Sequence, residues 1–182
     1  MIINLDIPNH RFSCPRPSQM DQAEFVECFG IIFEHSSWIV SEAWHAGLTA
    51  HDDYADGLFS SFVDIVEDVG YEAKLLLLRA HPDLAGRLAQ QGETTDFSIS
   101  EQHSAGLDYC SQEEIREFYH LNQRYTDKFG FPFILAVQGL ERVEILKIFR
   151  KRVENEMENE FDEAIRQVFK IARLRLSQIK LA

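Results

Sequence analysis

Apolar side chains recur at α-helical spacing along nearly the whole chain, and this periodicity restricts the fold more than any other feature of the sequence. The pattern is clearest near the end of the chain, where it predicts a helix over residues 158–179. One face of that helix carries a continuous apolar stripe, made of Phe161, Ile165, Val168, Phe169, Ala172, Leu176 and Ile179. Acidic residues in its first turns and basic residues farther along match the helix dipole.

The same pattern predicts further helices over about 20–33, 38–44, 51–69, 72–80, 98–106, 111–129 and 141–154. Three pairs of residues have capping-box spacing, which marks helix starts: Ser18 with Asp21, Ser98 with Glu101, and Ser111 with Glu114. The sequence therefore predicts an all-α fold of about seven to nine helices. Residues 1–182 are expected to form a single compact domain, with residues 1–17 as an irregular lead-in.

Three local environments are also predicted. Residues 72–80 are apolar almost all round and predict a buried helix. Residues 129–139 have Gly and Pro at their head, which favours either a buried extended stretch or the start of a buried helix. The acidic residues in 153–163 are most simply read as a solvated junction between two helices.

Composition and charge restrict the kinds of ligand. A net charge of −12 argues against binding to nucleic acid or to an anionic membrane surface, because phosphate contacts need clustered Lys and Arg. No run of about 18 apolar residues is present, so no membrane-spanning segment is expected. The three cysteines lack C-x-x-C spacing and no secretory signal is visible, which indicates free thiols in a reducing cytoplasm. An anionic ligand would need a local Arg or a helix N-terminus to attract it.

Arg175 is the residue whose position on its predicted helix is most unusual. Its neighbours at helical spacing are all apolar: Val168, Ile171, Ala172 and Ile179. A guanidinium on an apolar face either extends out to water, pairs with a carboxylate, or binds an anion. The sequence leaves the structural ion pair and the anion site open, whereas Arg173 has polar neighbours and is predicted to be solvated.

Two other residues have both a structural and a chemical interpretation. His81 lies between the apolar helix and Pro82, so it is either a general acid or base, or a histidine bonded to a backbone carbonyl at the helix end. Glu101 is either the third residue of a capping box or, with Ser98 and Gln102, part of an anion site at a helix N-terminus.

Sequence motifs of other enzyme classes are absent from the chain. It contains no HExxH, GxSxG, GxGxxG or GxxxxGK[ST] motif, which argues against zinc proteases, α/β-hydrolases and nucleotide-binding folds. His81, Asp83, Glu101 and His103 lack the spacing typical of metal ligands, so no metal site is predicted.

Four segments taken together resemble the OHCU decarboxylase family, where OHCU is 2-oxo-4-hydroxy-4-carboxy-5-ureidoimidazoline, a late intermediate between urate and allantoin. They are HPDLAG at 81–86, SxxEQxxAGL at 98–107, FGFPFI at 129–134, and the terminal segment 160–176 that ends in KIARLRL. The resemblance implies an all-helical homodimer that decarboxylates OHCU to (S)-allantoin without a cofactor and without a metal, acting on an anionic small molecule.

By motif position, the resemblance also implies the residues of the site. His81 corresponds to the catalytic histidine, and Glu101 to the acidic residue that places and polarises the substrate. The implied ligand contacts are Pro82, Ser98, Gln102, the backbone of Phe133 and Ile134, and the substrate-binding Arg175. Two alternatives stay open at this point: a non-catalytic helical interaction module, and a related enzyme that acts on a different ureido acid.

Overall fold

The computed structural model describes residues 9–13, 15–83 and 110–179. These residues contain seven α-helices: α1 Gln22–Phe29, α2 Trp38–Ala46, α3 Ala55–Asp68, α4 Tyr71–Ala80, α5 Gln112–Phe129, α6 Arg142–Arg152 and α7 Met157–Gln178. The β-type pairing found in this part of the chain is one isolated bridge between Arg11 and Tyr54. The predicted all-α class is confirmed, and the helix at 98–106 lies outside the described residues.

Packing divides the chain into two compact units. The first contains the residues up to Lys74 and those from Phe169 onward, and the second contains Leu75–Val168. The boundaries between the units fall inside α4 and α7. No helix in the described ranges is long and apolar enough to cross a membrane.

In the first unit, two helices begin later than the sequence predicted. Asp21 itself caps α1, because its side chain accepts from the Glu24 N–H while the Glu24 side chain accepts from the Asp21 N–H. The predicted pair of Ser18 with Asp21 was therefore three residues out of register. Thr49 does not cap α3 directly, since its N–H and hydroxyl both donate to Asp52 and close a turn before the helix.

In the second unit, the boundaries of α5 agree with the prediction. Ser111 and Glu114 form the reciprocal capping box, and Gly130 ends the helix in the left-handed conformation at φ 73°. Residues 131–137 that follow carry neither helix nor strand. Four side chains of this segment, Phe131, Phe133, Ile134 and Val137, are buried. Of the two predicted alternatives, the start of a buried helix is therefore wrong, and these residues form a buried segment outside helix and strand.

Two predicted environments were wrong in part. Helix α4 buries Leu75, Leu77 and Leu78, whereas Leu76 is 65% exposed, so α4 has one apolar face and one solvated face. Glu160, inside the acidic segment predicted to be solvated, is completely buried. Burial of a carboxylate needs a counter-charge and hydrogen-bond donors, and both are present beside Glu160.

Candidate active site

His81 follows the last residue of α4 and is 7% exposed. The helix ends here as predicted, because Pro82 disfavours helical geometry at the preceding residue. The His81 N–H donates to the Leu78 carbonyl at 3.2 Å, and ring atom Nδ1 lies 2.8 Å from the Leu77 carbonyl oxygen. The two contacts hold the imidazole against the last turn of α4.

The contact between Nδ1 and the carbonyl oxygen also selects the tautomer of His81. A carbonyl oxygen only accepts hydrogen bonds, so Nδ1 carries the proton in this contact. In the neutral imidazole the other nitrogen, Nε2, then has the lone pair and can accept a proton. The structural interpretation of His81, a ring bonded to a carbonyl at a helix end, is thus correct for Nδ1, and it prepares Nε2 for acid–base chemistry.

Two side-chain contacts fix the chain on either side of His81. Arg79, on the last turn of α4, donates from Nε to the Gly130 carbonyl at 2.9 Å. This bond connects the end of α4 with Gly130, the residue directly before residues 131–134. Beyond the half-buried Pro82, Asn122 of α5 donates from its amide to the Asp83 carboxylate. The loop that carries His81 is therefore held by α5 and by the residue that ends α5.

Phe133 and Ile134 have their side chains in the core of the second unit. The Phe133 ring stacks on Phe149, with ring centroids 3.8 Å apart and an interplanar angle of 11°. The guanidinium of Arg152 lies 4.7 Å from the centroid of the Phe133 ring, and its Nη1 donates to the Ile134 carbonyl at 2.7 Å. Because both side chains point into the core, the backbone is the part of this segment that is suited to contact a ligand.

Arg175 is buried in the first unit, with 2% of its surface exposed. Its Nη2 lies 3.2 Å from Oε1 of Glu34, and its Nη1 lies 3.4 Å from the Ile32 carbonyl oxygen. The ion pair that the sequence left open is therefore formed. It is compatible with anion binding, because a guanidinium has five N–H donors in a planar fork.

Two buried glutamates that pair with arginines were not predicted from the sequence, and the environment of one arginine was predicted wrongly. Glu34 lies in the turn after Phe33 and pairs with Arg175, 141 residues away in sequence. Glu160 pairs with Arg152. Arg173 is 11% exposed at its side chain and pairs with Asp56, so the prediction that it is solvated was wrong. Apolar periodicity marks Arg175 as unusual but does not identify its partner, which comes from a distant turn.

The predicted site residues are distributed as follows. His81, Pro82, Phe133 and Ile134 belong to the second unit, and Arg175 belongs to the first. Ser98, Glu101 and Gln102 lie outside the described residues. Among the residues that the structure describes, no group of three or more His, Cys, Asp or Glu side chains could hold a metal ion.

Comparison with known proteins places these residues in a family. The sequence profile of OHCU decarboxylase matches residues 18–177. The chain belongs to the OHCU decarboxylase family. This one profile includes residues of both compact units.

Individual relatives agree with the OHCU decarboxylase assignment. The chain is 37% identical over 169 residues to 2-oxo-4-hydroxy-4-carboxy-5-ureidoimidazoline decarboxylase of Haloferax volcanii, a match that covers 93% of this chain and 96% of that protein. It is 40% identical over 162 residues to the uric acid degradation bifunctional protein PucL of Bacillus subtilis, covering 89% of this chain. The chain spans only 31% of the length of that bifunctional protein.

A solved structure has the same fold. The crystal structure of OHCU decarboxylase in the presence of (S)-allantoin superposes with a TM-score of 0.65 and 25% sequence identity. The match covers 87% of this chain and 97% of that one.

Proposed function

We propose that this protein decarboxylates OHCU to (S)-allantoin in urate degradation, with no cofactor and with His81 as the proton-transferring residue. The observation that carries the proposal is the burial and hydrogen bonding of His81 in a chain that belongs to this family. The residue is buried, its Nδ1 is bonded to the Leu77 carbonyl, and its Nε2 is therefore the basic nitrogen.

The chemistry explains why no cofactor is needed. In OHCU the departing carboxylate sits on a carbon next to a C=N bond. When the bond to the carboxylate breaks, CO₂ leaves and the electron pair of that bond moves toward the C=N group of the ring. In a β-keto acid the corresponding pair moves toward the carbonyl group. The protein then has to orient the anion, exclude water and deliver one proton to one face of the neighbouring carbon, the former C=N carbon that bears the ureido group.

Each site residue has a specific role in this proposal. Arg175 binds an anionic group of the substrate, while Glu101 and Gln102 hold the ureido and ring N–H groups. Ser98, Pro82 and the backbone of Phe133 and Ile134 line the heterocycle. The tautomer of His81 favours proton abstraction first: Nε2 accepts the hydroxyl proton, so that the carbon that lost CO₂ becomes a carbonyl carbon. His81 then passes this proton to the neighbouring carbon of the former C=N bond, and the ring nitrogen that received the electron pair takes a proton from the medium.

The test is the rate of OHCU consumption by His81→Asn compared with wild type. We expect turnover to fall by about 10²–10⁴-fold, the usual contribution of general acid–base catalysis, with an unchanged far-UV circular dichroism spectrum. His120→Asn is the matched control, because His120 is an exposed histidine on α5. Wild-type turnover in the His81 variant would contradict the assignment.

We also propose that the protein acts as a homodimer in the cytoplasm. Cys28 forms no disulfide with another described residue, as expected of a thiol in a reducing compartment. Light scattering on the purified chain tests the assembly: the mass of two chains is expected, and the mass of one chain would contradict it.

A further inference from the structure

The segment 131–134 has to be fixed by side chains, because no ladder or helix holds its backbone. Buried backbone groups are almost always hydrogen-bonded in native proteins, and irregular segments obtain these bonds from neighbouring side chains. In this segment the Ile134 carbonyl accepts from Arg152, and two residues later the Ala136 N–H donates to Gln167.

Arg152 contacts this segment at the Ile134 carbonyl and at the Phe133 ring. It ends α6 and uses separate parts of its guanidinium for three tasks. Nη1 donates to the Ile134 carbonyl at 2.7 Å, while Nε and Nη2 donate to Oε1 of Glu160 at 2.9 and 2.6 Å. The flat face of the guanidinium lies over the Phe133 ring. Only a planar fork of donors can meet all three partners at once.

Glu160 is in turn held by two other donors. The Tyr125 hydroxyl donates to Oε1, and the Asn155 amide donates to Oε2 at 2.7 Å. Burial raises the pKa of Tyr125, the largest of several effects on it, so the phenol keeps its proton and remains a donor at neutral pH. Residues from α5, from α7 and from the turn between α6 and α7 therefore fix the orientation of Arg152.

We propose that Arg152 is a positioning residue that sets the backbone of Phe133 and Ile134 at the substrate site. This inference rests on the proposed function, in which that backbone contacts the heterocycle. Arg152 donates a hydrogen bond to the Ile134 carbonyl from within the core. This bond holds the peptide groups of Phe133 and Ile134 in one orientation toward the ligand. Its effect on the reaction passes through the segment and not through contact with substrate.

Two substitutions separate positioning from ordinary stabilisation. Arg152→Lys keeps a positive charge beside Glu160 but loses the planar face over Phe133, and a single ammonium cannot serve both Glu160 and the Ile134 carbonyl as the fork does. Glu160→Gln keeps the contact of Arg152 with Ile134 but leaves the buried guanidinium without its counter-charge. We therefore expect the melting temperature to fall more in Glu160→Gln, and KM to rise more in Arg152→Lys.

The matched control is Arg150→Lys. Arg150 lies two residues before Arg152 on the same helix. Its Nε and Nη2 donate to the carboxylate of Glu117 at 2.6 and 2.7 Å, but this pair lies at the surface. Its replacement is expected to change neither KM nor the exchange of backbone amides in the segment. Arg152→Lys is expected to raise KM about tenfold, because the backbone that contacts the heterocycle is no longer held in one orientation, with kcat changed less.

Amide hydrogen exchange over residues 131–136 gives a readout that does not depend on turnover. Faster exchange there in Arg152→Lys, with wild-type exchange in Arg150→Lys, supports the positioning role. Unchanged exchange in Arg152→Lys overturns it. If Glu160→Gln causes the larger change in both melting temperature and KM, the cluster is only structural and the inference fails. Absence of OHCU turnover in wild type would instead refute the proposed function, and exchange would still decide the role of Arg152.

Discussion

Each compact unit contains a buried Arg–Glu pair, and the two pairs differ in their geometry. Arg152 donates twice to one oxygen of Glu160, at 2.9 and 2.6 Å. Arg175 Nη2 lies 3.2 Å from Oε1 of Glu34, a longer contact than either of these. Both pairs are almost fully removed from water. We interpret the tight pair, Arg152–Glu160, as a fixed support for the backbone of the site, and the looser pair, Arg175–Glu34, as the one whose arginine binds the substrate in the proposed function.

Buried ion pairs of this kind are weak evidence for stability by themselves. Removing two charges from water costs several kcal/mol each, and their attraction offsets this cost only when geometry and further hydrogen bonds are good. Around Glu160 those conditions are met by Tyr125 and Asn155. The comparison therefore predicts that each arginine affects substrate binding, Arg175 directly and Arg152 through the segment 131–134, whereas loss of either carboxylate mainly lowers the free energy of unfolding.

Arg175→Ala tests the looser pair and should have the largest effect on KM. A hydrogen bond to a charged group contributes about 1.5–3 kcal/mol, so we expect KM to rise about 10- to 100-fold while kcat falls less. Steady-state kinetics on OHCU provides the measurement. Arg173→Ala is the control, since Arg173 lies on the same helix but pairs with Asp56. An unchanged KM in Arg175→Ala would show that this arginine is only structural.

Glu34→Gln should have a smaller effect on KM than Arg175→Ala but a clear effect on stability. The substitution leaves the Arg175 guanidinium in place and removes the carboxylate that faces it. Breaking a buried pair costs about 3–5 kcal/mol, which urea unfolding would detect as a lower midpoint. If instead KM rose as much as in Arg175→Ala, Glu34 would be required for binding. The account in which Arg175 binds the ligand and Glu34 only supports it would then be wrong.

Glu117→Gln removes the surface pair with Arg150 and should have the smallest effect. The hydrogen bond from Arg150 holds the pKa of Glu117 below its usual value, although partial burial opposes the shift. A carboxyl with a lowered pKa in the folded state stabilises the protein above its unfolded pKa, and this contribution is lost as the pH falls through the folded pKa. Surface pairs contribute only about 0.2–1 kcal/mol.

The measurement for this prediction is urea unfolding of wild type and Glu117→Gln at pH 7 and near pH 3. The small difference between them should shrink at the lower pH, with KM at neutral pH unchanged. A difference that grows as the pH falls would contradict the assigned direction of the pKa shift.

Local features of the fold were predictable from the sequence, whereas pairings across the chain were not. The limits of α5 depend on Ser111, Glu114 and Gly130, which act within a few residues of each helix end. Burial of Glu160 depends on Tyr125, 35 residues away, and no periodicity within the acidic segment indicates it.

The same contrast applies to the candidate site. The end of α4 at His81 follows from Pro82, a neighbour in sequence. The partner of Arg175 comes from a turn 141 residues away, and that of Arg173 from a helix 117 residues away. The apolar stripe marked Arg175 as unusual, but it carried no information about Glu34. The roles proposed for these residues come from the resemblance of their motifs to the family. Their local structure was predicted from apolar periodicity and from neighbouring residues in the sequence.

The most direct test of the proposed activity measures CO₂ release and the circular dichroism of the product in the same reaction. OHCU is generated from urate with the two upstream enzymes, and wild-type protein is then added. The proposal predicts CO₂ release well above the rate in buffer, with optically active (S)-allantoin forming in equal amount. Release at the buffer rate, with racemic allantoin as the product, would contradict it.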